Sequence, residues 1–598
     1  MSTTPITHTH DFARVFDIPA YQASRYANAQ AMLESKDGWW QATSIAALQQ
    51  RADAVSIELM GEGYAPGDKI LIVPIMGTVD WVVLDLACQQ IGIITVPVHP
   101  TARAEEFQLI LSETNARLCV VADEELKQKF QTFAAGFKNF YHLDAETDGY
   151  FKPLQASTPD ATQHAQLQAR KDTVADTDVF AILYTSGSSG TPKGVQLTHR
   201  NVVHNIKSIL ALLPLEPGDR VLSFLPFSHV FERTTCYAYL AFGVSIYFSQ
   251  RKETFAHDFH TARPLFCTSV PRVLEKMVEF LEQEMVRQNT FKKKVIQWSM
   301  NVGKHYQHRR KPGIAYSIQL ALARLLVLRT WRRQLGGSIR YIAVGAASLR
   351  PEIGRLFSAA GILVVEGYGM TETSPIITMN RYEPGLNRFG TVGLALPGVE
   401  IRLEEVNEEG EGEILVKGPN VTIGYFMQEA LTRAAFTDDG WFRTGDVGRW
   451  EHQRFLKITD RKKDIFKTSA GKYIAPLPLQ QHFCTSPFVQ RCLIMGFQRP
   501  FVTALLVPNF AHLELWCQEQ DIHWTAPPFM VHNIRVRAKF EEEIERLNGS
   551  LPNHERVRNF VLCPEEWTTE NGEITPTLKP VRHLLMEHYK NEIEKLYT

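Results

Sequence analysis

The segment TSGSSGTPKG, Thr185 to Gly194, gathers hydroxyl side chains at Thr185, Ser186, Ser188, Ser189 and Thr191, turn glycines at Gly187 and Gly190, and a closing cation, Lys193. Backbone N–H groups, hydroxyls and one ammonium in such a loop can wrap a polyphosphate. The loop differs from the P-loop of nucleoside triphosphatases, because Lys193 is followed by Gly194 and not by a serine or threonine opening a helix. A plain surface turn is the competing reading. Against it stands the position directly after the apolar run VFAILY, Val179 to Tyr184, which reads as a buried strand.

A phosphate loop at the end of a strand needs a sheet to hold it. From Lys69 to Pro100, apolar strand-like runs (KILIVPI, IGIITVPV) flank a helical pattern at Asp80 to Gln90. Similar units recur at Leu118 to Ala122, Val179 to Tyr184, Val221 to Phe224, Ser245 to Phe248, Ile339 to Val344 and Ile362 to Glu366. The rhythm predicts layered α/β architecture with mostly parallel strands. Between about Gly390 and Gly448 the texture changes to short strands with glycine turns, including an acidic hairpin at Glu404 to Glu413, which predicts a small β-rich subdomain. A new α+β segment of roughly 135 residues, an ordinary domain size, follows the charged turn Asp460-Arg461-Lys462-Lys463.

The bulk numbers fit a large folded protein. A chain of 598 residues, 44% hydrophobic and 22% charged, buries a large core and divides into more than one domain. Its net charge of −1 predicts no global attraction to nucleic acid. Eight cysteines without a Cys-x-x-Cys pair argue against a disulfide framework or a zinc knuckle and point to a reducing compartment. The N-terminus has no basic region followed by an apolar core, and the longest apolar stretch, Ile314 to Leu328, contains Arg324. Neither export nor a membrane span is expected, which leaves a cytoplasmic location.

YTSGSSGTPKG resembles the phosphate-binding signature of the adenylate-forming superfamily of acyl-CoA synthetases, peptide-synthetase adenylation domains and luciferases, and further motifs follow in that family's order. VGAAS, with Gly345, Ala346 and Ala347, is similar to the small-residue turn where the backbone approaches adenine. EGYGMTETSP, with Glu366, Gly367, Tyr368 and Gly369, lies after the strand-like ILVV, where ligands collect in open α/β sheets. The resemblance implies that Tyr368 stacks on adenine, Thr371 contacts the α-phosphate, and Glu372, with Thr185, holds Mg²⁺, a cation that takes oxygen ligands. In WFRTGDVG it implies that Asp446 accepts hydrogen bonds from the ribose hydroxyls, although a lone Gly-Asp is more often a turn.

ITDRKKDIFKTSAGKYIAP resembles the family's domain junction, with Ile458 and Arg461 at the nucleotide and Lys463 as hinge. The implied division is an N-terminal AMP-binding domain over 1–461, its β-rich subdomain at about 390–460, and a mobile C-terminal domain over 462–598. Family enzymes swing that domain between two half-reactions. By the same match Lys467 faces the active site in the thioester-forming pose. NGEITPTLKPVR resembles the loop of the catalytic lysine, here Lys579, which supplies positive charge as a carboxylate attacks the α-phosphorus. The sequence departs from the pattern just after it, with Pro580 and Val581 where a more basic run is usual.

LPFSHVFER, Leu225 to Arg233, resembles the form of this segment in long-chain fatty acid ligases, with His229 lining the acyl and thiol site; a structural histidine joining two strands is the plain alternative. RPLFCTSVPRVLEKM and the DRKKD junction point the same way. The reaction implied is ATP-dependent activation of a medium- to long-chain fatty acid through an acyl-adenylate, with ATP, Mg²⁺ and coenzyme A. Two alternatives stay open: an acyl-AMP ligase that loads a carrier protein, and a non-catalytic fatty-acid or nucleotide-binding protein. Leu335-Gly336-Gly337-Ser338 is similar to a phosphopantetheine attachment site, but it lacks the preceding aspartate and reads as a turn.

One segment breaks the charge balance. Between Glu284 and Glu352 no acidic residue occurs against fourteen Lys and Arg, and the apolar helical run IAYSIQLALARLLVL lies among them. The pattern suits a helix lying on an anionic membrane, with the stretch 287–350 as a peripheral contact. A solvated helical excursion or a subunit contact, as in a homodimer, is the competing reading.

Overall fold

The computed structural model describes residues 11–597 except 27, 37, 135, 138, 144–158, 187–191, 252, 287–289, 309–312, 470, 569–570 and 575–579. The chain divides into two compact units, one of Met1–Ile401, Val416–Phe442 and Arg454–Leu456, the other of Arg402–Leu415, Arg443–Gln453 and Lys457–Thr598.

The first unit is built on two sheets. One has seven strands in the order Gly424–Tyr425, Pro192–Thr198, Val179–Ser186, Ile94–Pro97, Lys69–Val73, Leu118–Val121, Phe140–His142. Its inner strands pair in parallel. Strands buried on both faces read as unbroken apolar runs, and ILIV after Lys69 and LCVV are such runs. The other sheet has nine strands, Leu394–Ala395, Ile376–Met379, Leu363–Gly369, Tyr341–Val344, Phe266–Ser269, Arg220–Ser223, Ser245–Phe248, Met32–Lys36, Trp39–Thr43. It is parallel from Met32–Lys36 through Leu363–Gly369 and antiparallel at both margins.

A buried polar network ties the layers together. Asp85, on helix Val79–Gln90, accepts from Arg233 Nε at 2.9 Å, from Gln89 Nε2 at 3.0 Å, from Thr95 Oγ1 at 3.1 Å and from the Tyr237 hydroxyl. Arg233 and Tyr237 belong to helix Val230–Phe242, Arg233 also reaches Thr95 at 2.7 Å, and its guanidinium lies 4.9 Å from the Phe180 ring centre. That helix ends at Gly243 with φ 74, where a Cβ would stand 2.4 Å from the Tyr26 ring, so the left-handed cap and the close approach both demand glycine. The adjacent Glu232 is buried and accepts from Ser223 and from Thr268 Oγ1 at 3.1 Å. Both charged residues of the Phe-Glu-Arg ending therefore serve to fix the helix that begins after His229.

The second unit carries a four-stranded sheet, Glu400–Glu404, Gly412–Lys417, Phe442–Glu451 and Phe455–Arg461 in spatial order. A three-stranded sheet follows in the order Val489–Met495, Val502–Pro508, Val557–Leu562, packed on helices Pro476–Phe483 and Ile534–Asn548. All eight cysteines are free thiols, and seven are buried, with Cys484 partly exposed. No described helix is long and apolar enough to cross a membrane.

Removing one partner of a buried pair leaves an uncompensated charge. Asp85→Ala is expected to cost about 3–5 kcal/mol, read as a lower guanidinium midpoint for the full chain, whereas a shift within error would mean that Arg233 finds water.

Candidate active site

Strand Val179–Ser186 runs two residues past the apolar stretch and turns back on Pro192–Thr198, pairing Tyr184 with Gly194, Thr185 with Lys193 and Ser186 with Pro192. The two arms that flank the glycine and hydroxyl segment are thus paired antiparallel strands. Thr185, Ser186 and Lys193 stand on these arms, while Gly187, Ser188, Ser189, Gly190 and Thr191 lie outside the described residues. Gly194 is sterically required, since a Cβ there would lie 2.9 Å from Ile182 Cγ2 and 3.1 Å from the Tyr184 ring.

Leu363–Gly369 carries the second motif. Tyr368 pairs with Thr378, and Gly369 with Ile376 across a bulge. A Cβ on Gly369 would fall 1.8 Å from the Pro375 carbonyl oxygen, so the returning chain leaves no room for a side chain. Thr371 and Glu372 form a short 3₁₀ turn, which two asparagines clamp. Asn205 Nδ2 donates to the carbonyls of Thr373 at 3.2 Å and Ile376 at 2.9 Å, and Asn420 Nδ2 reaches the same pair at 3.1 and 3.2 Å.

A two-residue strand joins these motifs. Gly424–Tyr425 extends the hairpin, with Tyr425 opposite Val195, and Phe426 N donates to Gly194 O at 2.7 Å. From there the Tyr425 hydroxyl donates to Glu372 Oε1 at 3.0 Å, and Lys193 Nζ stands 5.2 Å from the tyrosine ring centre. Burial and the neighbouring Glu372 carboxylate both raise the Tyr425 pKa, so the phenol stays a donor. Glu372 is itself buried, and its backbone carbonyl accepts from Thr422 N at 2.8 Å. A buried carboxylate oriented by one phenol is a hard oxygen donor of the type Mg²⁺ takes alongside substrate phosphates. Among the described residues there is no cluster of three or more His, Cys, Asp or Glu able to hold a metal ion by itself.

Gly345, Ala346 and Ala347 follow strand Tyr341–Val344, and Ala346 adopts φ 67. A Cβ on Gly345 would touch the Phe231 ring at 3.4 Å. Glu366 is at the strand facing Val344, but its carboxylate turns inward and accepts from Leu349 N at 3.1 Å, and burial pushes its pKa up to about 8. His229 occupies the N-cap position of helix Val230–Phe242 and is partly buried, its ring centre 5.5 Å from that of His99. Its Nε2 has no hydrogen-bond partner among the described residues. Burial lowers both pKa values, to about 4 for His229 and about 3 for His99, so the two imidazoles are neutral at physiological pH.

In the second unit Arg461 Nε lies 3.0 Å from Asp446 Oδ1, joining two of the expected nucleotide contacts, and Asp446 N donates to Thr444 Oγ1 at 3.1 Å. Ile458 sits on the same strand as Arg461, partly buried. Lys462 is held by Glu413 at 2.8 Å and Glu405 at 3.0 Å, while Lys463 is exposed in the turn that follows. Buried Asp460 accepts from Arg461 N at 2.7 Å and Leu477 N at 3.1 Å. Lys467 extends along the Tyr473 ring at 5.1 Å. Lys579 lies outside the described residues.

The family model described as AMP-binding enzyme matches residues 20–426, and the one described as AMP-binding enzyme C-terminal domain matches 463–598. The chain belongs to the AMP-binding enzyme family. Among curated relatives, the long-chain-fatty-acid–CoA ligase FadD15 of Mycobacterium bovis is 30% identical over 94% of this chain and 93% of its own. Long-chain-fatty-acid–CoA ligase 1 of Homo sapiens is 30% identical over 87% of this chain and 77% of its own. Solved structures share the fold. The adenylation domain of a carboxylate reductase from Mycobacterium chelonae matches with TM-score 0.73 and 21% identity, covering 98% of this chain and 91% of that one. ATP-bound MatB from Rhodopseudomonas palustris matches with TM-score 0.70 and 21% identity over 97% and 99%.

Asn205, Asn420, Tyr425 and His99 were not singled out from the sequence of this AMP-binding enzyme. Asn205 lies on the buried face of helix His199–Leu210, which also buries Asn201 and Ser208, so an amide there carries no distinctive local signal.

The Glu366 proton gives a pH test. A carboxyl with pKa near 4.3 in the unfolded chain and about 8 when folded keeps a proton that unfolding releases, so stability falls as pH rises between those values. Glu366→Gln retains an acceptor for Leu349 N and should melt progressively above the parent across that interval. A difference constant with pH would refute the assignment.

Proposed function

We propose that this enzyme is a long-chain fatty acid–CoA ligase that works in two steps. A fatty carboxylate oxygen attacks the α-phosphorus of ATP, forming acyl-AMP as the bond to pyrophosphate breaks. The coenzyme A thiolate then attacks the acyl carbon and AMP leaves. The observation that carries the reading is the strand Gly424–Tyr425, which brings the polyphosphate hairpin and the Glu372 turn to one place. The relatives named as long-chain ligases align along nearly the whole chain, which favours this over carrier-protein loading or a non-catalytic role.

In this reading Lys193 and the glycine and hydroxyl segment bind the β- and γ-phosphates, Thr371 the α-phosphate, and Tyr368 the adenine. Asp446, assisted by Arg461, accepts from the ribose. Glu372 and Thr185 would hold Mg²⁺, whose charge offsets that of the polyphosphate. Lys579 stabilises charge on the α-phosphoryl oxygens during adenylation. Rotation about Lys463 of a domain spanning 462–598 then replaces it with Lys467 for thioester formation. Neutral His229 lines the path of acyl chain and thiol. The chemistry suits a cytoplasmic enzyme that touches an anionic membrane through the stretch 287–350, with a homodimer as the other assembly the exposed helices would serve.

An acid panel from octanoate to oleate, with ATP, Mg²⁺ and coenzyme A, should yield acyl-CoA, AMP and pyrophosphate, most efficiently with the longer acids. No pyrophosphate release with any acid would end this reading. Lys579→Ala should slow adenylation by roughly 10²- to 10³-fold while leaving thioester formation from supplied acyl-AMP near the parent rate. Lys467→Ala should do the converse, and equal losses in both half-reactions for either variant would remove the division of labour.

A further inference from the structure

Part of the acid-free segment folds into a helix whose outer face is exposed among the described residues. Successive helical stretches run from Ile314 to Gln334. Leu320, Ala323, Val327, Leu328 and Trp331 bury one face in the core of the first unit. On the other, Ile314, Ile318, Leu322, Leu325 and Leu326 are 47% to 82% exposed. Their spacing of three to four residues makes a continuous apolar stripe, roughly 18 Å long at ~1.5 Å per residue. The preceding helix, Thr290–Lys304, leaves Phe291 and Trp298 exposed next to Lys292, Lys293 and Lys294.

At its C-terminal end the stripe turns cationic. Exposed Arg329 and Arg333 continue the same spacing. Arg333 then lines a basin of about 310 Å³ with His260, Arg263 and the turn Gly336–Gly337. Both glycines have positive φ, 76 and 79, and a Cβ on Gly336 would lie 2.1 Å from Phe259 O, so this Gly-Gly pair is a sterically required turn at the basin wall. The Arg332 guanidinium has its pKa lowered by burial and by Arg340 and Arg329, with no carboxylate among the causes.

We propose that helix Ile314–Gln334 is a membrane-docking element: its exposed apolar face enters the headgroup and acyl boundary of an acidic bilayer, and the basin of His260, Arg263 and Arg333 takes a lipid headgroup phosphate. The proposal rests on the membrane reading given above and names the element responsible. An apolar face bordered by the exposed cations Arg329 and Arg333 suits an interface that is itself apolar inside and anionic at the rim. A second copy suits it less, because a parallel two-fold pairing would oppose Arg329 and Arg333 to their own copies, and an antiparallel one would lay those cations over the apolar end near Ile314. The helix lies on the bilayer and does not cross it.

The test uses the full chain and two vesicle types, phosphatidylcholine alone and phosphatidylcholine mixed with phosphatidylglycerol. The parent protein should sediment with the mixed vesicles, less at high salt, and hydrogen exchange over 314–334 should slow when they are present. L322Q/L325Q/L326Q should weaken partitioning by roughly tenfold or more, and R329Q/R333Q by roughly tenfold. Activity on soluble octanoate should be unchanged in both variants, which also certifies that they fold. If the parent binds but the triple variant binds equally, or exchange over 314–334 is unaffected, another surface docks and this proposal falls while the membrane reading survives. If the parent binds neither vesicle, both fall. A parent dimer that the triple variant dissociates, with vesicle binding intact, would make the face a subunit contact and overturn the proposal.

Discussion

The hydrogen bond from Tyr425 to Glu372 is the constraint on which the architecture of the first unit's site turns. Neither partner belongs to the sheet segment that carries the other: Tyr425 edges the seven-stranded sheet, and Glu372 follows a strand of the nine-stranded one. Joining them fixes the distance between a loop suited to phosphate and a carboxylate suited to a cation. Asn205 and Asn420 complete the arrangement by pinning the carbonyls after Glu372, so the turn cannot drift along the strand. Preorganisation of this kind is what electrostatic stabilisation requires, because dipoles and charges already in place need no rearrangement as the reaction proceeds.

The parallel cores were legible because strands buried on both sides need apolar residues along their buried positions, and Ile70 to Val73 and Leu118–Val121 have them. The N-terminal pair Met32–Lys36 and Trp39–Thr43 was not legible. It sits at a sheet margin with mixed, half-exposed side chains, Trp39 among them, so neither a continuous run nor a clean alternation marks it. The hairpin at Ser186 was hidden for another reason: Pro192 and Gly194 signal a loop, yet the first opens a strand at the end that Gly424–Tyr425 leaves unpaired and the second makes room for Ile182 and Tyr184. The motif resemblance singled out Glu372, Asp446 and Arg461, but only coordinates reveal that Tyr425 orients the first and that the other two pair. The inward turn of the Glu366 carboxylate had no local signal, since its partner is the backbone of Leu349, seventeen residues away.

Electrostatics in the first unit follows from burial more than from charge pairing. His229 and His99 are held neutral, and Glu366 is held protonated at neutral pH. The segment from Glu366 to Pro375 therefore presents less negative charge than its two acidic residues would suggest.

The burial of the cysteines bears on chemical fidelity. An acyl-adenylate is an electrophile that will acylate any thiolate it meets, and coenzyme A reacts through a thiol of the same kind. Seven of the protein's own thiols are enclosed, and burial raises the pKa of every one of them, Cys563 to about 12. A thiol that stays protonated and enclosed is a poor nucleophile. The fold thereby guards itself against self-acylation and leaves the incoming cofactor with few rivals for the activated chain.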